Sequence, residues 1–385
     1  MTALRHVADG TRRRLRVAVL GPSRFPLSRP FAGGQEAFTA TLCERLRRRG
    51  HHVVLFALDG SDPGLADEFV PYAAPPSLSA VAQVDPGMPA GLDFAEHHAF
   101  LDAVRVLGLR TDIDVVHNNS LHPYPIALAD LLPAPMVTTL HTPPIPFMES
   151  AAAMAGRRSR HVAVSGAVAR TWTTLPGVEV VSNGVDVDAF LPGPGGGGLA
   201  WAGRVTPEKG THLAIETALR LDLPLRIAGP ISDPDYFARS VRPLLDERRV
   251  YVGHLDTAAL REHYAAADVL LVTPLWEEPF GLVAAEAMAC GTPVAGFGVG
   301  GLTDVVGAPE GGAVVDVPAG IHHTSHDEFV TGLAAAVGRA AGVSRATVRL
   351  RAEREFAAAT MIGRYERIYA ALARRAPAEI DGIAG

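Results

Sequence analysis

Two short stretches of this 385-residue chain carry residue types that could do chemistry on a phosphate ester. The first is Gly203-Arg204-Val205-Thr206-Pro207-Glu208-Lys209-Gly210. It holds the single lysine: of 35 lysines and arginines, every other one is arginine. Arginine offers a rigid fork of donors, lysine a compact charge on a flexible stem. A glycine-bearing turn from strand to helix aims backbone N–H groups and a helix dipole at an anion. Together Arg204 and Lys209 suit a diphosphate. Two solvated surface charges would be the plainer account. However, the arginine-rich usage looks like the codon bias of a GC-rich genome, and that bias gives a decorative lysine no reason to persist at 209.

The second stretch runs from Trp276 to Val294, WEEPFGLVAAEAMACGTPV. Pro279 is a good first-turn residue, so the spacing predicts a helix from Glu278 through Ala289, ended by Gly291. Glu286 lies eight residues beyond Glu278, about 12 Å along such a helix and roughly on the same face. Paired carboxylates of glycoside hydrolases lie about 5–9.5 Å apart. The spacing here is too long for that work and fits two clamps on opposite ends of one elongated ligand. Between them, the N–H groups of Phe280, Gly281, Leu282 and Val283 would open the helix unpaired and face an anion. Leu282, Val283, Ala285 and Met288 mark the helix as mostly buried, which sets its glutamates apart from ordinary solvated ones.

These residues need elements to hold them. From LRVAVLG (15–21) onward, β-rich runs alternate with helical spacing, as in Phe38, Leu42 and Leu46 with Gly50 as a cap. A polar, Pro-rich stretch at 59–90 reads as an excursion. LPGPGGGG (191–198) is a linker by composition, and the alternation restarts after it. The expected fold is therefore α/β, two doubly wound Rossmann-like domains facing a central cleft. The expected division is a disordered leader 1–14, a first Rossmann-like domain 15–190, a linker 191–198 and a second Rossmann-like domain 199–345. A C-terminal helix 346–375 would pack back on the first domain, ahead of a tail 376–385. Ligands of such sheets sit at the carboxyl ends of the strands, and domain closure on the ligand is expected.

Bulk properties narrow the function. Net charge is −6, and nucleic-acid binders carry a basic footprint, so no nucleic-acid partner is expected. Two distant cysteines, Cys43 and Cys290, form no disulfide framework. The N-terminus lacks the apolar core of a signal peptide, and no apolar run approaches a membrane span, so the expected location is the cytoplasm. Asp186-Val187-Asp188 has the form of a metal-binding pair, but beside Asn183-Gly184 it reads as a turn. His51-His52, His97-His98 and His322-His323 read as surface pairs. Arg45, Arg47, Arg48 and Arg49 complement a helix C-terminus, which disfavours membrane contact as their purpose. Cys290 reads as helix packing.

The chain resembles the retaining nucleotide-sugar glycosyltransferases of the GT-B fold, the large family that includes sucrose synthases and bacterial phosphatidylinositol mannosyltransferases. Carrying the resemblance, in family order, are Gly33-Gly34-Gln35-Glu36, His141-Thr142-Pro143, Ser182-Asn183-Gly184-Val185-Asp186, Gly203-Arg204 with Lys209-Gly210, and Glu278-Pro279-Phe280-Gly281-Leu282-Val283 with Glu286. Glu277 stands beside Glu278, and the following Pro-Phe-Gly selects the latter. The resemblance implies that Arg204 and Lys209 hold the donor's diphosphate and Glu286 the ribose hydroxyls. It places Glu278 near the donor sugar, and the amides of Phe280, Gly281, Leu282 and Val283 against phosphate or sugar. His141 would lie over the donor sugar, and Gly34 on a loop closing on the phosphates. It further implies same-face hexosyl transfer from a nucleotide-diphosphate sugar, most readily a UDP-sugar, without metal or other cofactor. His141, Glu278, Arg204 and Lys209 would be the catalytic set. The other readings are a UDP-sugar epimerase of the same fold and a non-catalytic sugar-nucleotide sensor. The acceptor, whether small molecule, lipid or glycan, has no motif.

Overall fold

Runs such as Arg16–Leu20 and Val269–Val272 are apolar at almost every position, and the computed structural model buries both faces of each. The structure describes residues 13–83, 93–317 and 325–374. The leader up to residue 12, the tail 376–385 and His322-His323 lie outside them.

In chain order the first half runs β1 (Arg16–Leu20), α1 (Gly34–Arg48), β2 (His52–Ala57), β3 (Glu68–Pro71), α2 (Ala80–Gln83), α3 (Phe94–Gly108), β4 (Val115–Asn118), α4 (Pro123–Ala127), β5 (Met136–Leu140), α5 (Pro146–Met154), β6 (Ser159–Ala163), α6 (Gly166–Thr171) and β7 (Glu179–Val180). The second runs β8 (Leu199–Ala202), α7 (Thr211–Arg220), β9 (Leu225–Ala228), α8 (Pro234–Tyr236), β10 (Arg249–Gly253), α9 (Thr257–Ala266), β11 (Val269–Val272), α10 (Leu282–Ala289), β12 (Val294–Phe297), α11 (Leu302–Val306), β13 (Gly312–Val315), α12 (His326–Ala341), α13 (Arg345–Phe356) and α14 (Ala358–Ala373). Seven parallel strands pair in the order β3-β2-β1-β4-β5-β6-β7, and six in the order β10-β9-β8-β11-β12-β13. Both orders reverse beside the first strand of their sheet, the switch point where such sheets open a crevice.

Four expectations change. The excursion at 59–90 contains strand β3, paired with β2 at the sheet edge; its Pro71 is tolerated there because an edge strand has one unpaired side. The last helical stretch is two helices, broken at Ala357, whose ψ of 131° is extended. Only α14 packs on the first domain, placing Met361, Ile362, Tyr365 and Tyr369 in the core of that sheet. Helix α13 stays with the second domain, packing Val348, Ala352 and Phe356 near α10. His51 is buried, not a surface residue: its Nδ1 accepts the Leu15 N–H at 3.2 Å and its Nε2 lies 3.1 Å from Glu366 on α14.

The fourth change concerns the glycine run, which is a strap and not a loose linker. Gly195 and Gly197 donate to the carbonyls of Ala265 and Ala266, and Asp268 accepts from Gly196 and Gly198. A Cβ on Gly193 would lie 2.4 Å from that of Ala265, so the close approach requires glycine. Arg345 fastens the strap by donating to Gly193, Ala265 and Ala267. The two chain crossings between domains meet elsewhere: Val185 donates to Phe356 at 2.7 Å and accepts from Ala358 at 2.9 Å. The basic end of α1 grips this junction through Arg45–Asp186 at 2.6 Å and Arg49–Glu366 at 2.6 Å.

Candidate active site

The turn from β8 to α7 is shaped by two glycines. Gly203 leaves the strand at φ 158°, and Gly210 opens α7 at φ 62°, where a Cβ would lie 2.3 Å from the Thr273 carbonyl. Between them Pro207–Lys209 makes one tight helical turn. Thr273 Oγ1 donates to the carbonyls of Lys209 and Gly210, at 2.9 and 3.0 Å, and receives the indole N–H of Trp201. The backbone that carries Lys209 is thus anchored from behind.

The Lys209 ammonium projects into the cleft and meets Glu278 Oε2 at 2.5 Å. Trp276 Nε1 donates to the same oxygen at 3.1 Å, and the Trp276 ring centroid lies 5.1 Å from Lys209 Nζ. Glu278, not its neighbour Glu277, is thus the glutamate that lines the cavity, and Glu277 is exposed. The backbone at Glu278 is fixed too: its carbonyl accepts from Gly301 at 2.7 Å. Arg204 stands in contrast. Its side chain is 37% exposed, and its one ion pair among the described residues is a loose 3.9 Å contact with Glu208. A guanidinium so lightly held is free to meet an incoming anion.

Helix α10 begins at Leu282, four residues later than the spacing predicts. Pro279 lies ahead of it, and Gly281 at φ 91° is its N-cap. The eight-residue separation of Glu278 and Glu286 is therefore part loop, part helix, and the helical estimate of their distance does not apply. Leu282 and Val283 are still the first N–H groups of the helix, and both residues line the cavity. Phe280 offers only backbone: its ring is buried edge-on against Phe356, centroids 5.7 Å apart. Glu286, one turn on, has Tyr264 hydroxyl at 3.2 Å as partner. Burial raises its carboxyl to about 7, the tyrosine hydrogen bond opposing this.

His141 sits across the cleft at the end of β5. It is 8% exposed, with its Nε2 3.2 Å from Asn119 Oδ1 and its ring edge-on to Phe38 at 4.9 Å. Burial lowers it to about 3, so it is neutral at physiological pH. Donation of Nε2–H to the Asn119 oxygen leaves Nδ1 as an acceptor. Gly34 opens α1 on the same wall; a Cβ there would find Leu282 of the opposite domain 3.9 Å away. The domains also touch directly, Ser165 Oγ donating to the Pro279 carbonyl at 2.6 Å.

One cavity of about 790 Å³ between the domains is lined by all ten of the expected residues: Gly34, His141, Arg204, Lys209, Glu278, Phe280, Gly281, Leu282, Val283 and Glu286. Sequence reasoning missed Trp276, Tyr264, Asn119 and Glu36. Trp276 and Glu36 stood inside the motifs it used, and their side-chain partners were the signal it lacked. Asp186 answers Arg45 at the junction.

Two facing doubly wound sheets with an anion-ready turn in the cleft between them define the GT-B class of glycosyltransferases. Sequence comparison agrees. The Glycosyltransferase Family 4 profile matches residues 32–189 and the Glycosyl transferases group 1 profile residues 199–325. A glycogen synthase of Mycobacterium tuberculosis is 32% identical over 363 residues, 79% of this chain and 81% of the relative. A D-inositol 3-phosphate glycosyltransferase of Mycolicibacterium smegmatis is 30% identical over 354 residues, 78% and 80% respectively. Among solved structures, AviGT4, a glycosyltransferase involved in Avilamycin A biosynthesis, superposes with a TM-score of 0.65 at 24% identity, covering 94% of this chain and 99% of that one. Anabaena Alr3699/HepE in complex with UDP-glucose gives 0.70 at 17% identity, covering 93% and 100%. The chain belongs to this family of GT-B glycosyltransferases, with a family 4 N-terminal half and a group 1 C-terminal half.

Proposed function

We propose that the protein is a retaining hexosyltransferase that moves a hexose from a UDP-sugar to an acceptor hydroxyl, working in the cytoplasm without a metal ion. The observation that carries this reading is the clustering of Arg204, Lys209 and the first N–H groups of α10 on one wall of the cleft, opposite His141. Breaking the anomeric C–O bond builds negative charge on the departing diphosphate. Preorganised cations and backbone donors at that point are the largest single aid such a reaction can receive.

Each residue has a task in that step. Lys209 uses one N–H on Glu278 and keeps two for phosphate oxygens. Arg204 supplies a second charge in fork geometry. The remaining oxygen of Glu278 is available to hydroxyls of the donor sugar, and Glu286 to those of the ribose. Neutral His141 packs over the sugar and can accept a hydrogen bond from one of its hydroxyls at Nδ1 without bringing a charge to the site. In same-face attack the acceptor oxygen approaches from the side the diphosphate leaves. Its proton passes to the departing phosphate oxygen, so no covalent sugar–enzyme intermediate is formed. With two protein cations on the diphosphate, a divalent metal is not required. Anabaena HepE, of the same fold, was solved with UDP-glucose, which supports a UDP-sugar donor. Among the described residues no helix is long and apolar enough to cross a membrane.

Incubation with UDP-sugars, with and without a cell extract as acceptor source, tests the reading. Free UDP that appears only with acceptor, a product whose anomeric NMR coupling matches the donor, and activity that survives EDTA are expected. An altered sugar nucleotide without UDP release would mean an epimerase. Binding without any turnover would mean a sensor.

A further inference from the structure

Two carboxylates on the first-domain wall face the cavity without a bonded cation. Glu36, in the first turn of α1, is 5% exposed and lines the cavity. Its carboxylate accepts its own backbone N–H and curls toward Gly33, with Oε2 3.0 Å from where a Cβ would stand. No hydrogen bond or ion pair joins it to another side chain among the described residues. Arg24 and Arg204 act on it only through space, and burial raises its pKa despite them. A carboxylate has room for several donors and this one takes only its own backbone N–H, so its remaining acceptor sites are open to a ligand in the cavity.

Glu96, in the first turn of α3, lines the same cavity, and its bonded partner is the Ser23 hydroxyl. Ser23 and Arg24 are consecutive in the β1–α1 loop, and both line the cavity together with the two carboxylates. The other cations of this wall are already committed, Arg29 to Glu44 at 2.8 Å and Arg45 to Asp186 at 2.6 Å. Arg24 rests over the Phe25 ring at 5.7 Å.

Resting on the transferase reading above, we infer that Glu36 and Glu96 form the acceptor subsite. They select a polyol without an anionic substituent: a sugar or cyclitol with free hydroxyls, amine-bearing ones included, and not a phosphate monoester or carboxylate. An ionised carboxylate is purely an acceptor, matched by the hydroxyl and ammonium donors of such a molecule. A phosphate group offers it oxygens and like charge, and that repulsion is an effective way to reject a wrong partner.

The test uses the full chain with UDP-hexoses and matched acceptor pairs, such as glucose and glucosamine against glucose 6-phosphate, and myo-inositol against an inositol phosphate. Products are read by mass spectrometry. Polyols should be glycosylated with kcat/KM at least about tenfold above their phosphorylated counterparts. Glu36→Gln should lower polyol kcat/KM about tenfold, the loss of a charge-assisted hydrogen bond, and narrow that ratio. Its UDP Kd, measured by calorimetry, should move less than about threefold, which also reports an intact fold; Glu96→Gln gives a second variant. A phosphorylated acceptor preferred, no transfer to any polyol, or a ratio unmoved in both variants would overturn the inference. A native protein that binds no UDP would instead strike the transferase reading, and this inference with it.

Discussion

The two walls of the cleft satisfy their charges differently. On the second-domain wall, Lys209 and Glu278 neutralise each other at 2.5 Å, and Trp276 holds both. On the first-domain wall, Glu36 and Glu96 face the same cavity with no cation bonded to either. On the proposed reading the difference follows from what each wall would receive. A diphosphate has the same charge and shape in every donor, so its cations can be set in place beforehand by partners of their own. An acceptor would bring its own donors, and carboxylates meant for it need no bonded cation before it arrives. A charge paired with a cation on one wall and carboxylates without one on the other are therefore suited to different ligands.

Several substitutions would break or sharpen that contrast. Lys209→Ala should have the largest effect, removing a charge-assisted contact of about 1.5–3 kcal/mol and lowering kcat/KM by roughly 10- to 150-fold. Steady-state kinetics with saturating acceptor would show it, and unchanged kinetics would remove Lys209 from the phosphate site. Lys209→Arg sharpens the point. A planar fork does not fit between Glu278 and the Trp276 ring as a compact ammonium does, so less than about a tenth of the activity should return, as order-of-magnitude guidance.

Trp276→Leu should come next, at about tenfold in kcat/KM, because it removes both an indole hydrogen bond to Glu278 and a cation–π contact of about 0.5–2 kcal/mol. Trp276→Phe keeps a ring for Lys209 and should fall between Leu and the native residue. If Phe and Leu behave alike, the indole N–H alone matters.

The smallest effect should be the contribution of Glu286 to the stability of the ligand-free protein. The folded pKa of Glu286, raised to about 7 by burial, lies above the 4.5 of a free glutamate side chain. The folded state thus binds more protons between these values. Its contribution is fully present below about 4.5 and is lost as pH rises through about 7. The effect should be on the order of 1 kcal/mol, about a few degrees in Tm. Glu286→Gln should flatten the fall in Tm of the ligand-free protein between pH 5 and pH 8. A slope that persists in the variant would assign the effect to another group.

Much of the fold was legible because parallel sheets covered on both faces need unbroken apolar strands, and those runs stand out between helical periods. Strand β3 escaped notice because an edge strand needs neither a long apolar run nor the absence of proline. The glycine run misled for a related reason. Its composition is that of a flexible tether, yet Gly193 is there because Ala265 leaves no space for a side chain. Pro279 suggested a helix start, but Gly281 begins the helix, since a left-handed φ of 91° turns the chain into it.

What the sequence by itself determined was the inventory and its order: a lone lysine beside Arg204, a Glu-Pro-Phe-Gly turn, a later glutamate and a histidine after a strand. Those are properties of residue type and spacing along one chain. Tertiary structure decided the pairings. Lys209 and Glu278, 69 residues apart, meet because β8 and β11 are neighbours in one sheet. Glu36 is left without a bonded cation because the folded domains bring Arg204 near it without bonding it. Charge pairing across a cleft depends on distances that local sequence does not encode, and only the folded chain sets them.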